Sequence, residues 1–268
     1  MNPRVPKDPE YLSTLERGLS VLRAFDAQHP EMALSEVAAV TGLPPAVARR
    51  CLNTLVALGY VAQDGRRFLL RPEVLAFGSA YLSSMHIEQV AVPPLQALRD
   101  QTGDSASLAV RSGRDILYVC HIPTQRRIRL GVAVGTRFPL HATSMGKVLL
   151  AFQGPRAIDE YLAGGPLQRM TERTVTDPQA FRERLQAVTD RHYDSALDEL
   201  DYGIVSVAVP LVDADDRVVA AINCSTSTTR ISQDELVRTR LPLLREAAAQ
   251  IEAELRRHPA LARSLQTA

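Results

Sequence analysis

The stretch LSEVAAVTGLPPAVARRCLNTLVAL, residues 34–58, decides the fold of the first part of the chain. Ser35 suits the N-cap of a short helix that carries Val37, Ala38 and Val40, and Thr41-Gly42 is a stop signal. A tight turn over Gly42-Leu43-Pro44 leads into a second helix with Pro45 at its start, where Val47, Cys51, Leu55 and Leu58 recur on one face. Helix, glycine turn, helix is the arrangement of a helix-turn-helix. Ahead of it, Ser13-Thr-Leu-Glu16 has capping-box spacing and Leu15, Leu19, Leu22 and Phe25 share a face, which predicts a helix closing near His29-Pro30. Behind it, Gly59 ends the helix, and Tyr60–Gln63 and Arg67–Leu70 flank Asp64-Gly65, a dipeptide favoured in two-residue hairpin turns. A hairpin in that place makes the helix-turn-helix winged.

The apolar stripe leaves Ala46, Arg49, Arg50, Asn53 and Thr54 facing elsewhere on the second helix of the pair. Arginine pairs with guanine and asparagine with adenine in the major groove, and either can hold phosphate. Arg66 and Arg67 follow the hairpin turn and are candidates for backbone phosphates, an ordinary solvated hairpin being the alternative. Residues 44–71 carry five arginines against the single acid Asp64, although the whole chain has a net charge of only +1. Such local charge suits a phosphate-facing surface.

The 268 residues suffice for two modest domains, and 46% apolar with 23% charged residues is ordinary for a globular chain. No run of apolar residues is long enough to span a bilayer, and the first ten residues are polar and proline-rich without the apolar core of a signal peptide, so no membrane association and a cytoplasmic location are expected. Cys51, Cys120 and Cys224 are widely spaced and odd in number, which reads as reduced, mostly buried thiols.

From Pro72 the pattern is helical again through Val74, Leu75, Gly78, Tyr81 and Leu82, then broken at Pro93-Pro94, and reads as a connector over 72–102. Beyond Gly103 short β runs follow at 105–110, 115–122, 128–134, 203–211 and 217–225, interrupted by helices near 144–152, 156–163, 178–192 and 233–257. The expected organisation is a winged helix-turn-helix over 1–71, the connector, an α+β domain with an antiparallel sheet over 103–257, and a tail over 258–268.

Two segments together resemble the IclR family of bacterial regulators: the block from Leu15-Glu-Arg-Gly-Leu-Ser-Val-Leu22 through Leu58-Gly-Tyr-Val61, and residues 135–151, GTRFPLHATSMGKVLLA. The likeness covers nearly the whole chain in the same order. Ala48–Leu55, Ala142–Gly146 and Leu197–Pro210 resemble most the branch that controls breakdown of aromatic acids such as protocatechuate and 4-hydroxybenzoate, with Lys147 where that branch is expected to carry arginine. The resemblance implies a GAF-like effector-binding domain, a dimer or tetramer on double-stranded operator DNA, contact with RNA polymerase, and activation by a hydroxylated aromatic carboxylate.

His141-Ala-Thr-Ser-Met-Gly-Lys147 opens a helix directly after a loop, where free amides and the Ser144 hydroxyl suit a carboxylate, with Arg137 or His141 as charge partner; Ser144 as a plain N-cap is compatible with this. Alternation puts Val219, Ala221, Asn223 and Ser225 on one strand face, and Ile204, Ser206 and Ala208 on one face of the strand before it. The resemblance places Ser144, Met145, Ser206, Asn223 and Ser225 in the effector pocket, the ring hydroxyl falling to Ser206, Asn223 and Ser225. No catalytic residue, cofactor or metal is expected: Gly146-Lys147 lacks the rest of a phosphate-binding loop, and Cys120-His121 with Cys224 lacks four ligands at structural spacing. Two other readings stand beside this one: a hydrolase or other small-acid enzyme in the C-terminal part, and a protein-interaction module with a vestigial winged helix.

Overall fold

The computed structural model describes residues 10–126 and 131–266, and the chain divides into two compact units at Tyr81/Leu82. The first unit contains α1 (Ser13–Arg23), β1 (Glu31–Ala33), α2 (Leu34–Thr41), α3 (Pro45–Ala57), β2 (Val61–Asp64) and β3 (Arg67–Leu70), and α4 (Leu75–Ser84) runs on from it past the boundary. Gly42, at φ 66°, ends α2 in the left-handed conformation that glycine adopts without strain, and three residues later α3 begins. The three strands form an antiparallel sheet in the order β1-β3-β2, with Asp64 paired to Arg67 so that Gly65 and Arg66 make the turn.

Several local expectations shift. Helix α1 ends at Arg23 rather than near His29, because Asp26 Oδ1 accepts from the amides of Gln28 and His29, 2.8 Å each, and holds a turn there. Ser13 is the first helical residue and caps nothing; the cap position is Leu12. The α2 cap is Ala33, whose amide donates to Glu36 2.6 Å away, not Ser35. The buried face of α3 is Ala48, Cys51, Leu52 and Leu55, while Leu58 is 61% exposed. Likewise Val21 of α1 and Phe25 just beyond its end enter the core of this unit, and Leu15 and Leu19 do not.

The second unit begins with α5 (Ile87–Thr102), followed by β4 (Ser105–Ser112), β5 (Asp115–Ile122), β6 (Arg137–Pro139), α6 (Ser144–Ala151), α7 (Pro155–Ala163) and α8 (Pro178–Arg191). Then come β7 (Asp194–Leu197), β8 (Ile204–Val212), β9 (Val218–Ser227), α9 (Gln233–Arg257) and α10 (Pro259–Leu265). Six antiparallel strands lie in the order β6-β5-β4-β9-β8-β7. Of the expected strand at 128–134, residues 128–130 lie outside the described residues, 131–134 form no strand, and the strand of this region is β6. The four-residue β7 has no counterpart in the expected elements.

One face of this sheet is mainly apolar. Val205, Val207, Val209, Leu211, Ile222 and Cys224 pack with Ile87, Leu95 and Leu98 of α5, with Leu244 and Ile251 of α9, and with Leu261 and Leu265 of α10. Helix α5, expected as connector, is thus part of this core despite Pro93 and Pro94, and the expected tail supplies a buried helix. Each fully buried Leu or Ile contributes about 1.5–3 kcal/mol, enough to hold both in place. The opposite face bears Ala109, Tyr118, Ala208 and Ala221 beneath α6 and α8. A register shift next to Val212 moves Val219 to the first face, away from Ala221, Asn223 and Ser225 with which alternation had grouped it.

Candidate functional site

On α3 the side chains of Ala46, Arg49, Arg50, Asn53 and Thr54 are all exposed. Helical spacing divides them. Ala46 and Asn53 lie near the middle of the exposed face with Arg49 to one side, whereas Arg50 and Thr54 lie to the other side and border an open groove of about 710 Å³ with Leu15, Leu19, Leu58 and Phe77. Thr54 also donates its hydroxyl to the Arg50 carbonyl, 2.9 Å away. In the wing, Arg66 is exposed at the turn, but Arg67 faces β1 and α2: its Nε lies 2.7 Å from Glu31 and its guanidinium 3.6 Å from Glu36. Charge alone grouped Arg67 with Arg66; strand pairing separates them, because β1, which the sequence did not reveal, sets Ala33 opposite Arg67 and brings Glu31 diagonal to it.

In the second unit the polar residues of β8 and β9 meet α6. Ser206 pairs with Ser225 and Ala208 with Asn223 across the ladder, and the Ser206 hydroxyl lies 2.8 Å from that of Ser144. The N-cap of α6 is Thr143, whose hydroxyl accepts from the Gly146 amide at 3.0 Å, so Ser144 is left for the cavity. Gly146 is required by close packing: a Cβ there would sit 2.5 Å from the Leu140 Cα. Ser144, Ser206, Asn223 and Ser225, together with Thr143, Tyr118 and Glu199, line an inner chamber of about 30 Å³. An outer chamber of about 330 Å³ shares Tyr118, Ile204 and Ser225 with it and adds Ser107, His121, Arg126 and Arg230. Together they form one polar cleft on the sheet face that α6 leaves open.

Two expected pocket residues lie elsewhere. His141 is 3% exposed, with one ring nitrogen 3.1 Å from the Tyr161 hydroxyl and the other 2.8 Å from the Gln168 carbonyl, and burial lowers its pKa. Met145 packs in the core beneath the sheet beside Leu149. Arg137 is exposed and donates to the Ser112 carbonyl at 3.4 Å, so neither it nor His141 lines the cleft. The basic groups that do are Arg126, exposed at its rim, and Arg230, held by Asp104 and by Thr226. The sequence carried no periodic signal for either, since both lie just beyond strand ends.

Below the inner chamber sits a buried ion cluster. Lys147 is wholly enclosed, its Nζ 2.6 Å from Glu199 Oε2 and 3.2 Å from Asp194 Oδ2. The other oxygen of Asp194 meets Arg184 at 2.7 Å and Arg191 at 3.1 Å. Two buried side-chain oxygens here have no hydrogen-bond partner: Asp194 Oδ2, which still faces the Lys147 ammonium, and Oδ1 of Asn223, a residue 6% exposed, which faces no charge. Leaving such an acceptor unpaired costs about 1–3 kcal/mol, which a bound donor would recover.

The three cysteines are free and buried, burial raising Cys120 to about 11 and Cys224 to about 12, so neither of these two serves as a thiolate nucleophile. Among the described residues no cluster of three metal-binding side chains occurs, and no helix is long and apolar enough to cross a membrane.

Residues 14–65 match the IclR helix-turn-helix domain, and residues 79–253 match the bacterial transcriptional regulator IclR C-terminal domain. The chain is 38% identical over 242 residues to the Pca regulon regulatory protein of Pseudomonas putida, covering 90% of this chain and 83% of that one. It is 36% identical over 247 residues to the p-hydroxybenzoate hydroxylase transcriptional activator of Acinetobacter baylyi, covering 90% and 91%. A crystal structure of an IclR homolog from Microbacterium hydrocarbonoxydans, complexed with 4-hydroxybenzoate, superposes with a TM-score of 0.75 at 26% identity, over 91% of this chain and 99% of that one. Both curated relatives are transcription regulators, and the small-acid hydrolase reading falls away with them. The chain belongs to the IclR family of DNA-binding transcriptional regulators.

Proposed function

We propose that this regulator activates genes for aromatic-acid breakdown and senses a hydroxylated aromatic carboxylate in the cleft of its second unit. The observation that carries the reading is the unpartnered, buried Oδ1 of Asn223 at the inner end of a cleft whose outer end holds Arg126 and Arg230. A hydrogen-bond donor at one end of the effector and a carboxylate at the other answer both features. The names of the Pseudomonas and Acinetobacter relatives and the 4-hydroxybenzoate held by the Microbacterium homolog favour the same chemistry. The carboxylate does not sit at Ser144 with the hydroxyl at Ser206, because those side chains are 2.8 Å apart and cannot receive opposite ends of a benzene ring.

Ala46, Arg49 and Asn53 read bases, while Arg66 and Arg50 hold phosphates. One small winged helix reads too few base pairs for genomic selectivity, so two copies pair over two half-sites through the apolar groove of α1, α3 and α4, and the activated complex engages RNA polymerase in the cytoplasm. The deciding experiment is a thermal-shift and calorimetric panel of aromatic and aliphatic acids. Stabilisation of about 2.7 kcal/mol is expected when 4-hydroxybenzoate or protocatechuate is present at 100 times its Kd. A response to pyruvate or glyoxylate with none to the aromatic acids would overturn the effector assignment.

A further inference from the structure

The inner chamber is small, and the charged side chain in its lining is Glu199, with its counter-charge Lys147 behind it in the buried cluster. The chamber's volume of about 30 Å³ has room for one or two water-sized groups. Ser144 and Ser206 are bonded to each other, Thr143 is occupied by the Gly146 amide, and Asn223 presents an unpaired carbonyl oxygen. Beside them stands Glu199, 8% exposed, on the loop between β7 and β8. Lys147 takes its Oε2, and the loop is fixed from behind by Thr174, which donates to the Glu199 carbonyl at 2.7 Å, and by Thr171, which donates to the Asp198 carbonyl at 2.5 Å. A carboxylate held so firmly by one oxygen leaves the other to accept from whatever enters the chamber. The outer chamber carries Arg126 and Arg230 in its lining, together with Asp201.

We infer that Glu199 is the specificity-determining residue of the effector site: its Oε1 shares with Asn223 Oδ1, in a three-centre bond, the single proton of the hydroxyl borne by the ring opposite the effector's carboxylate, and it rejects a second carboxylate there. Lys147 is the positioning residue that holds Glu199 in place. The inference rests on the aromatic-acid reading above. A hydrogen bond to a carboxylate is stronger than one between neutral groups, and it turns a single hydroxyl into a criterion for entry. Like charge close by works against a dicarboxylate.

The test uses the full chain and three acids of one shape, 4-hydroxybenzoate, benzoate and terephthalate, titrated calorimetrically into wild-type and Glu199→Gln protein. Wild type should prefer 4-hydroxybenzoate to benzoate by about tenfold or more and bind terephthalate worst. In Glu199→Gln that preference should narrow by about five- to tenfold, and terephthalate should gain affinity, because the charge is gone and the shape is kept. An unchanged preference, with both monoacids still bound, overturns the role of Glu199. Failure of wild type to bind any hydroxylated aromatic acid overturns the effector assignment and this inference with it. Should Glu199→Gln fail to fold, the pair Lys147→Met with Glu199→Gln removes both charges together and supports the same comparison, with the same narrowing expected.

Discussion

Replacing Lys147 with Met isolates the energetics of the ion cluster on which the effector cleft stands. The ammonium is fully enclosed between Asp194 and Glu199, and removing one partner of a buried pair costs about 3–5 kcal/mol, since the stranded charge keeps its desolvation penalty. Geometry selects the lower part of that range. Asp194 keeps its charge paired with Arg184 and Arg191 through Oδ1, although its Oδ2 loses Lys147, so the carboxylate left without an ion pair is Glu199, and it borders a chamber where water can reach it. We therefore expect a loss of about 3 kcal/mol, which for a domain of this size lowers the Tm by about 6–12 °C. Scanning calorimetry of the full chain resolves this, because the transition of the second unit should move while that of the first stays in place. The double variant Lys147→Met with Glu199→Gln, with both charges of the pair removed, should recover most of the loss. A shift below about 3 °C in the single variant, or no recovery in the double, would refute the argument that a stranded carboxylate is what destabilises the fold.

Three further outcomes follow from other parts of the molecule. Arg49→Ala should weaken operator binding by about 1–3 kcal/mol, Arg66→Ala should weaken all DNA binding and reduce the salt slope by about 1, and Arg67→Ala, whose side chain is spent on Glu31 and Glu36, should leave the salt slope unchanged; fluorescence anisotropy across salt separates the three. Leu19→Asp places a charge in the groove of the first unit, where Leu15 is 60%, Leu19 50% and Phe77 59% exposed, and light scattering should report a lower mass than for wild type, an unchanged mass contradicting the pairing surface. Because burial holds the His141 pKa below its unfolded value, the unfolded chain takes up a proton that the folded one refuses once the pH falls below about 6.5; stability therefore declines on the acid side until the folded pKa is reached, and His141→Gln should flatten that decline in denaturation curves taken between neutral and acid pH.

Which parts were readable in advance follows from how far each signal reaches along the chain. The helix-turn-helix was legible because Gly42, Pro45 and the α3 stripe are local, and α8 and α9 were legible because Asp177 and Ser232 cap them through the amides of Ala180 and Glu235. Periodicity found the apolar stripe of α1 but not its destination: Val21 and Phe25 enter the core while Leu15 and Leu19 remain outside, and a stripe meant for a core looks the same as one meant for another surface. The Pro93-Pro94 pair suggested a broken connector, yet Ile87–Thr102 is one helix, because the burial of Val90, Leu95 and Leu98 outweighs the missing amides. Glu199, Arg126 and Arg230 sit in loops or at strand ends, where neither period nor cap constrains direction. Only the ladder register, which brings β7, β8 and β9 to α6, reveals that Glu199 and Lys147 meet across 52 residues.

The same register explains why one sheet carries both a core and a cleft. On the face packed by α5 and α9, β8 supplies an unbroken valine row, Val205, Val207 and Val209, and every position is closed over by a helix. On the other face the row reads Ser206 then Ala208, paired with Ser225 and Asn223, and α6 begins only at Ser144, above the first of these. The unpaired Asn223 carbonyl is a cost that an apolar side chain of similar size would avoid, so stability alone does not account for it. A polar row of small side chains at the end of a sheet, next to a helix start and above a buried ion cluster, is what a site needs in order to read a polar group on a ligand of fixed size. The row's residues are therefore better explained by what the cleft binds than by what holds the sheet together.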